Sequence, residues 1–182
     1  MLRAVIDDGH EIGSHSISHH PVTLKLPDQA ETEVCTSRQL IEDRLGNYKI
    51  TSFCYPFYWS HQYLGAAVKS AGYRQARGGG IAPDYVPSAS YYPLLTGSSI
   101  DKLNVDCRQI SPQGEDVTGW LRDGCWHVLT YHAIGDDKDG WEPVTVAQFS
   151  EQMAQLASYR NSGDVEVVTF KDGAARFDAS NK

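Results

Sequence analysis

Cysteine is sparse in this chain, and its spacing sets the first exclusions. The four cysteines, Cys35, Cys54, Cys107 and Cys125, include no Cys-x-x-Cys pair. A zinc ribbon and a thioredoxin-type dithiol are therefore excluded, and spacing does not rank the pairings that four cysteines allow. Free thiols buried as small hydrophobes are the expectation. Long apolar runs are also missing, since none approaches the roughly 18 residues of a membrane-spanning helix. The opening Met1-Leu2-Arg3-Ala4-Val5-Ile6-Asp7-Asp8 has neither the apolar core nor the small-residue cleavage site of a signal peptide. No compartment can be assigned from it. Positive charge is in deficit, with 16 Lys+Arg against 23 Asp+Glu and a net charge of −7. That balance argues against a nucleic-acid partner, which calls for a basic face. Repeats and low-complexity segments are absent as well.

What is present reads as an ordinary globular domain, 41% hydrophobic and 21% charged. The length of 182 residues suits one domain spanning 1–182. Leu2 to Asp8 reads as the end of a helix stopped by Gly9, followed by a short strand at 10–15. Asp28 to Leu45 is amphipathic, with Val34, Ile41 and Leu45 on one face and Gly46 as its stop. A strand at 50–55, a helix from an Ser60 cap to Ala71 and a strand at 73–77 follow. Residues 78–99 form a long loop rich in glycine, proline and tyrosine (Tyr85, Tyr91, Tyr92). Beyond it lie a strand at 103–107, a helix at 115–121 and a strand at 126–131. A helix at 145–159, a strand at 165–170 and a short terminal helix complete the pattern. Such alternation predicts a parallel α/β fold, whose chemistry collects beyond the C-terminal ends of its strands.

The most informative stretch is Gly9-His10-Glu11-Ile12-Gly13-Ser14-His15-Ser16-Ile17-Ser18-His19-His20-Pro21. A helical turn after Ser16 would set His15 and His19 on one face, where two neutral imidazoles can chelate a divalent transition metal. The plainer alternative is a polar cluster of caps and hydrogen bonds. His15 ends the expected strand, as do Tyr55-Pro56-Phe57, Arg77 and His132. His132 titrates near neutral pH, as a general acid requires, although strand-end histidines also serve structure. His127 reads as structural.

The histidine stretch resembles the second motif of the NodB-homology polysaccharide deacetylases, carbohydrate esterase family four. In that family both motif histidines bind a divalent metal, so the resemblance implies His15 and His19 as ligands of Zn2+, with Co2+ or Ni2+ as alternatives. Leu129-Thr130-Tyr131-His132-Ala133-Ile134 resembles the fifth motif, which implies His132 as the general acid that protonates the leaving group. Ser52-Phe53-Cys54-Tyr55-Pro56-Phe57 resembles a variant of the third motif, which implies the Phe57 N–H as an oxyanion donor. The family's arginine is missing there, because Cys54 occupies its place; Arg77 is a candidate substitute or an ordinary surface residue. Tyr55, Pro56, Trp126 and Trp141 are the candidate substrate contacts, each with core packing as the alternative. Asp101, Asp106 and Asp116 lie near the variable fourth motif, without assignment.

The family's first motif, Thr-Phe-Asp-Asp-Gly, supplies the general base and a third metal ligand. Val5-Ile6-Asp7-Asp8-Gly9 looks similar, but an extended strand rises about 3.3 Å per residue and would carry Asp8 roughly 20 Å from His15. Asp7 and Asp8 are therefore read as a solvated turn and the general base as absent. The resemblance implies a distorted (β/α) barrel without its first strand and most of its first helix, with an exposed edge that self-association would cover. It also implies hydrolysis of N- or O-acetyl groups on a carbohydrate. A non-catalytic carbohydrate-binding remnant and a hydrolase of small amides are the alternatives.

Overall fold

The computed structural model describes residues 2–20, 26–60, 62–78, 80–81, 105–106, 108–109, 116–121, 126–135 and 143–180. In chain order the elements begin with α1 (Leu2–Asp7), α2 (Pro27–Leu45), β1 (Ser52–Cys54), a 3-10 turn (Pro56–Tyr58) and β2 (Trp59–Ser60). Then come α3 (Gln62–Ser70), β3 (Gln75–Gly78), β4 (Gly80–Ile81), β5 (Val105–Asp106) and β6 (Arg108–Gln109). A second 3-10 turn (Val117–Trp120), β7 (Leu129–Thr130), β8 (Ala133–Ile134), β9 (Pro143–Val144), α4 (Val146–Ser162) and α5 (Phe170–Ser180) follow. They divide into two compact units, Met1–Asp106 with Thr169–Lys182, and Cys107–Val168.

The first unit is built on the parallel sheet β1-β3-β5. Strand alternation gives the sheet two unlike faces. Phe53 and Tyr55, two residues apart, enter a core with Ala30 and Val34 of α2, Leu64, Ala67 and Val68 of α3, and Ile50, Tyr73 and Ala76. Here Phe53 meets Tyr55 and Tyr73 with ring centres 5.4 and 5.3 Å apart. The opposite face is polar. Ser52 pairs in register with Gln75 and Cys54 with Arg77. Gln75 Nε2 donates to Ser52 Oγ at 2.7 Å, and Ser52 donates in turn to the Glu11 carboxylate. The other Glu11 oxygen accepts from the Lys171 N–H at 2.8 Å, so Glu11 ties the start of α5 to β1.

Helix ends follow the residues expected to stop them. Gly9 at φ +88° ends α1, with its N–H bonded to the Ile6 carbonyl and that of His10 to Val5. Asp7 and Asp8 are therefore the last turn of a helix and its stop. Gly46, φ +70°, ends α2, and Arg3 Nη1 donates to the Leu45 carbonyl at 2.7 Å. Arg38, on α2, also donates to the Ala71 carbonyl and lies over the Tyr73 ring.

The second unit holds two parallel pairs, β6 with β7 and β8 with β9. Val117 and Val144 are its buried core, packed by Leu129, Tyr131, Phe149 and Leu156. Tyr131 meets Phe149 edge-on at 5.1 Å and donates to Gln152 Oε1 at 2.7 Å. A capping box between Thr145 and Gln148 starts α4, and Gly163 in the left-handed conformation ends it.

The α/β content agrees with expectation, while the described elements differ from it in detail. Among the described residues the strands form separate ladders, β1-β3-β5, β2-β4, β6-β7 and β8-β9, and no closed barrel. The strand expected at 10–15 is a single bridge at Ser14. Those at 50–55 and 126–131 shrink to Ser52–Cys54 and Leu129–Thr130. The helix at 115–121 is a 3-10 turn. Ser60 sits in β2 rather than at a helix cap. Residues 165–169 join no ladder despite their β-branched composition, with Val167 60% exposed, and Phe170 already begins α5. Cys35 is a free, half-buried thiol, Cys54 is half-buried, and Cys107 and Cys125 lie outside the described residues. No described helix is long and apolar enough to cross a membrane.

Glu42 joins α2 to the strand entry and responds to acid. It receives hydrogen bonds from Arg38 Nε (3.0 Å), Lys49 Nζ (2.9 Å) and the Ile50 N–H (3.0 Å). Burial alone would raise its carboxyl, but these bonds outweigh that effect and lower it from 4.5 to about 2. A folded-state value below the unfolded one contributes stability above pH 4.5 that is lost as pH falls toward 2. Glu42→Gln should therefore cost about 1 kcal/mol at pH 7. The loss should shrink by pH 3 in urea unfolding, whereas an equal loss at both pH values would contradict this charge-based account.

Candidate functional site

The histidine loop is attached to the sheet by two backbone hydrogen bonds. The Ser14 N–H donates to the Ser52 carbonyl at 3.0 Å, and the Cys54 N–H donates to the Ser14 carbonyl at 2.8 Å. Together they form a parallel bridge between Ser14 and Phe53. The approach is close because residue 13 is glycine: a Cβ there would lie 3.2 Å from the Ser52 carbonyl oxygen. Ser14 is buried and its hydroxyl lies 2.7 Å from that of Ser37 on α2. Ser37 donates to the Val34 carbonyl, so Ser14 is the donor between the two hydroxyls.

His15 emerges directly from this bridge. Its Nδ1 lies 2.9 Å from the Cys54 carbonyl oxygen, which can only accept. Nδ1 is thus the donor, and the neutral tautomer with this contact has its lone pair on Nε2. The chain then turns sharply instead of coiling. Ser16 and His19 both adopt left-handed backbone, φ +68° and +53°, and the His19 N–H donates to Ser16 Oγ at 3.2 Å. Residues 17 and 18 form a bend, so the expected helical turn is not made. The bend nevertheless brings the two rings together, His15 and His19 being 4.8 Å apart edge-on.

Glu33 on α2 holds the bend. Its Oε2 accepts both the Ile17 and the Ser18 N–H at 2.8 Å. Burial would raise the carboxyl; the hydrogen bonds from Ser18 and Ile17 and the nearby His20 outweigh it and lower it below 4.5. Sequence reading missed Glu33 because its partners lie 15–16 positions away and leave no local pattern.

Phe57 completes the cluster. It follows β1 in left-handed backbone, φ +58°, and its ring packs on His19 with centres 4.4 Å apart. All three non-glycine residues with positive φ in the described chain, Ser16, His19 and Phe57, therefore belong to one small site. Such conformations cost about 1 kcal/mol or more each, and they gather where geometry is functionally constrained.

Two imidazoles on one tetrahedral ion, with N–metal bonds of about 2.0 Å, place their ring centres roughly 5 Å apart. The observed separation is 4.8 Å, and the His15 tautomer presents the correct nitrogen. That separation suits two ligands of one ion as well as an ordinary edge-on ring contact. No group of three or more metal-binding side chains occurs among the described residues.

The other sequence candidates separate. Tyr55 and Pro56, expected to touch substrate, are fully buried, Tyr55 because it shares the core face of β1 with Phe53. Arg77 pairs in register with Cys54 on the polar face of the sheet and is half-buried. In the second unit His132 is exposed just after β7, while His127 and Trp126 are half-buried. Asp116 is exposed before the 3-10 turn. Trp141, Asp101 and the tyrosines of the long loop lie outside the described residues, as does the side chain of Asp106.

The family model described as polysaccharide deacetylase matches residues 1–76. The resemblance to that family thus extends over the segment carrying His15, His19, Cys54 and Phe57; His132 lies outside the matched span. None of the curated proteins matches the chain. A solved structure from Mycobacterium smegmatis, provisionally named a polysaccharide deacetylase, is similar at 12% identity and a TM-score of 0.44. The similarity covers 98% of this chain but only 59% of that one.

Gly13→Ala tests the attachment of the loop. The added methyl meets backbone that is itself held in the ladder, so the chain has to shift. The expected cost is about 1 kcal/mol or more, with faster hydrogen exchange at the Ser14 and Cys54 amides. Unchanged exchange at both would show that the bridge tolerates a side chain at position 13.

Proposed function

We propose that the histidine loop is the ligand end of a carbohydrate deacetylase site, and that the reaction is hydrolysis of an N- or O-acetyl group on a sugar. One observation carries this reading. His15 is held in a single tautomer by the Cys54 carbonyl, beside His19 at a separation that one ion can bridge. The family match over residues 1–76 supplies the reaction class. His15 and His19 would hold a divalent ion, zinc first and cobalt or nickel also compatible with imidazole, which when bound supplies a Lewis acid toward the acetyl carbonyl.

The chain's own groups divide the remaining work. The Cys54 carbonyl keeps the His15 proton on Nδ1. The Phe57 N–H is the oxyanion donor, a role that depends on backbone and not on the side chain. The resemblance of residues 129–134 to the fifth family motif gives His132 the role of protonating the departing sugar nitrogen or oxygen. The base that takes the water proton is not assigned to a described residue.

The test measures acetate release from acetylated xylan and chitin oligomers with added Zn2+. His15→Ala and His19→Ala should each lower release on the order of 100-fold or more and lower bound zinc in parallel. His132→Gln should lower release by about 100-fold or more while bound zinc stays unchanged. Release that survives His15→Ala would overturn the metal reading. Oligosaccharide binding without acetate release would favour a carbohydrate-binding module, and turnover of small amides alone would favour a different hydrolase.

A further inference from the structure

The histidine pair lies on a loop that is supported from one helix face. Glu33 and Ser37 are four residues apart on α2 and so lie one turn apart on the same side. Ser37 bonds Ser14 immediately before His15, at 2.7 Å. Glu33 accepts the two N–H groups between His15 and His19, both at 2.8 Å and both on Oε2. Left-handed residues flank the Glu33 contact on both sides, Ser16 before it and His19 after it, a shape that these residues do not favour on their own. A single acceptor taking two consecutive N–H groups fixes the peptide planes on either side of Ile17. It thereby fixes the direction in which the chain enters His19.

We propose that Glu33 is the positioning residue of the histidine pair: its carboxylate, by accepting the Ile17 and Ser18 N–H groups, sets the separation at which His15 and His19 can share one divalent ion. The proposal rests on the metal reading given above for those histidines. Ser37 anchors the entry to the loop, and Glu33 sets its pitch. Without Glu33 the two N–H groups turn to water, Ser16 and His19 relax toward ordinary backbone, and the His19 ring leaves His15. Glu33 holds Ile17 and Ser18, the two residues between the bend's left-handed positions, so its effect on the His19 ring passes through that segment.

The interaction makes distinct demands on replacements. Glutamine retains an acceptor oxygen at the same reach, and one amide oxygen can take two N–H groups. Aspartate retains the charge but is one methylene short. Alanine removes both. The experiment titrates the full chain with Co2+, following the visible d–d absorption, with Zn2+ binding by calorimetry and a thermal melt as the control for folding. Glu33→Ala should weaken Co2+ binding 10-fold or more and shift the absorption envelope, in keeping with the usual effect of groups that orient metal ligands. Glu33→Asp should behave like Glu33→Ala, and Glu33→Gln should stay within about threefold of the parent, the same class of orienting effect being retained. If Glu33→Ala does not fold, the comparison of Asp with Gln still decides.

Parent-like affinity and spectrum in Glu33→Ala or Glu33→Asp would overturn the proposal, leaving the metal reading intact. Loss in Glu33→Gln equal to that in Glu33→Asp would also overturn it, because charge and reach would then both be required. A parent chain whose Co2+ response matches that of His15→Ala would overturn the metal reading itself, and this inference with it.

Discussion

The bridge between Ser14 and Phe53 is the contact on which the rest of the site depends. Two main-chain hydrogen bonds join the histidine loop to β1 at the one point where Gly13 allows the backbones to meet. Every later feature takes its position from that contact. His15 reaches the Cys54 carbonyl because Cys54 donates its own N–H to Ser14, one residue earlier. Phe57, three residues beyond Cys54, then comes within ring contact of His19. A two-bond bridge is a small anchor for this purpose. It is reinforced on one side by the Ser14–Ser37 contact and, two residues earlier, by the Ile12 N–H donating to Tyr48 Oη at 3.0 Å.

The site concentrates unfavourable backbone in a few residues and offsets it nearby. Ser16, His19 and Phe57 are each left-handed without being glycine. Left to local preference, the segment would open, because αL costs a residue with a Cβ roughly 1–2 kcal/mol. Opposing that are the Ser16 hydroxyl on the His19 N–H and the Glu33 carboxylate on the two residues between. Hydrogen bonds to a charged acceptor contribute about 1.5–3 kcal/mol each, enough to hold such a bend. The core beneath it, Val34, Phe53, Tyr55 and Tyr73, gives α2 and β1 little freedom to yield.

Much of the framework was legible from stop signals and periodicity. Gly9, Gly46 and Gly72 carry positive φ where the chain turns, and α2 and α4 lie close to the apolar spacing that marks them. Strands were legible as apolar runs but not in their extent, because a ladder requires a partner and not only propensity. The run at 165–169 illustrates this. Its β-branched residues join no ladder, and helix α5 begins at Phe170, held by the bond from Lys171 to Glu11, 160 positions earlier. The histidine pair was found, but by the wrong local geometry: a helical turn was expected, whereas the rings meet through two left-handed residues. Glycine advertises such a conformation in sequence; serine and histidine do not.

Cys54 illustrates how side-chain motifs and backbone roles come apart. What Cys54 gives the site is its carbonyl, bonded to His15, and its N–H, bonded to Ser14. Both groups are present whatever side chain stands at 54, so the orientation of His15 does not depend on the Cys54 thiol. The role proposed for Phe57 is likewise an N–H. A comparison that scores side chains counts such positions as departures from a motif, although the chemistry they contribute is unchanged. His15 and His19 are different, since only an imidazole offers that nitrogen at that reach. The proposed site therefore rests on few side chains and largely on main-chain geometry, held by Gly13, the left-handed turns and the core that packs α2 against β1.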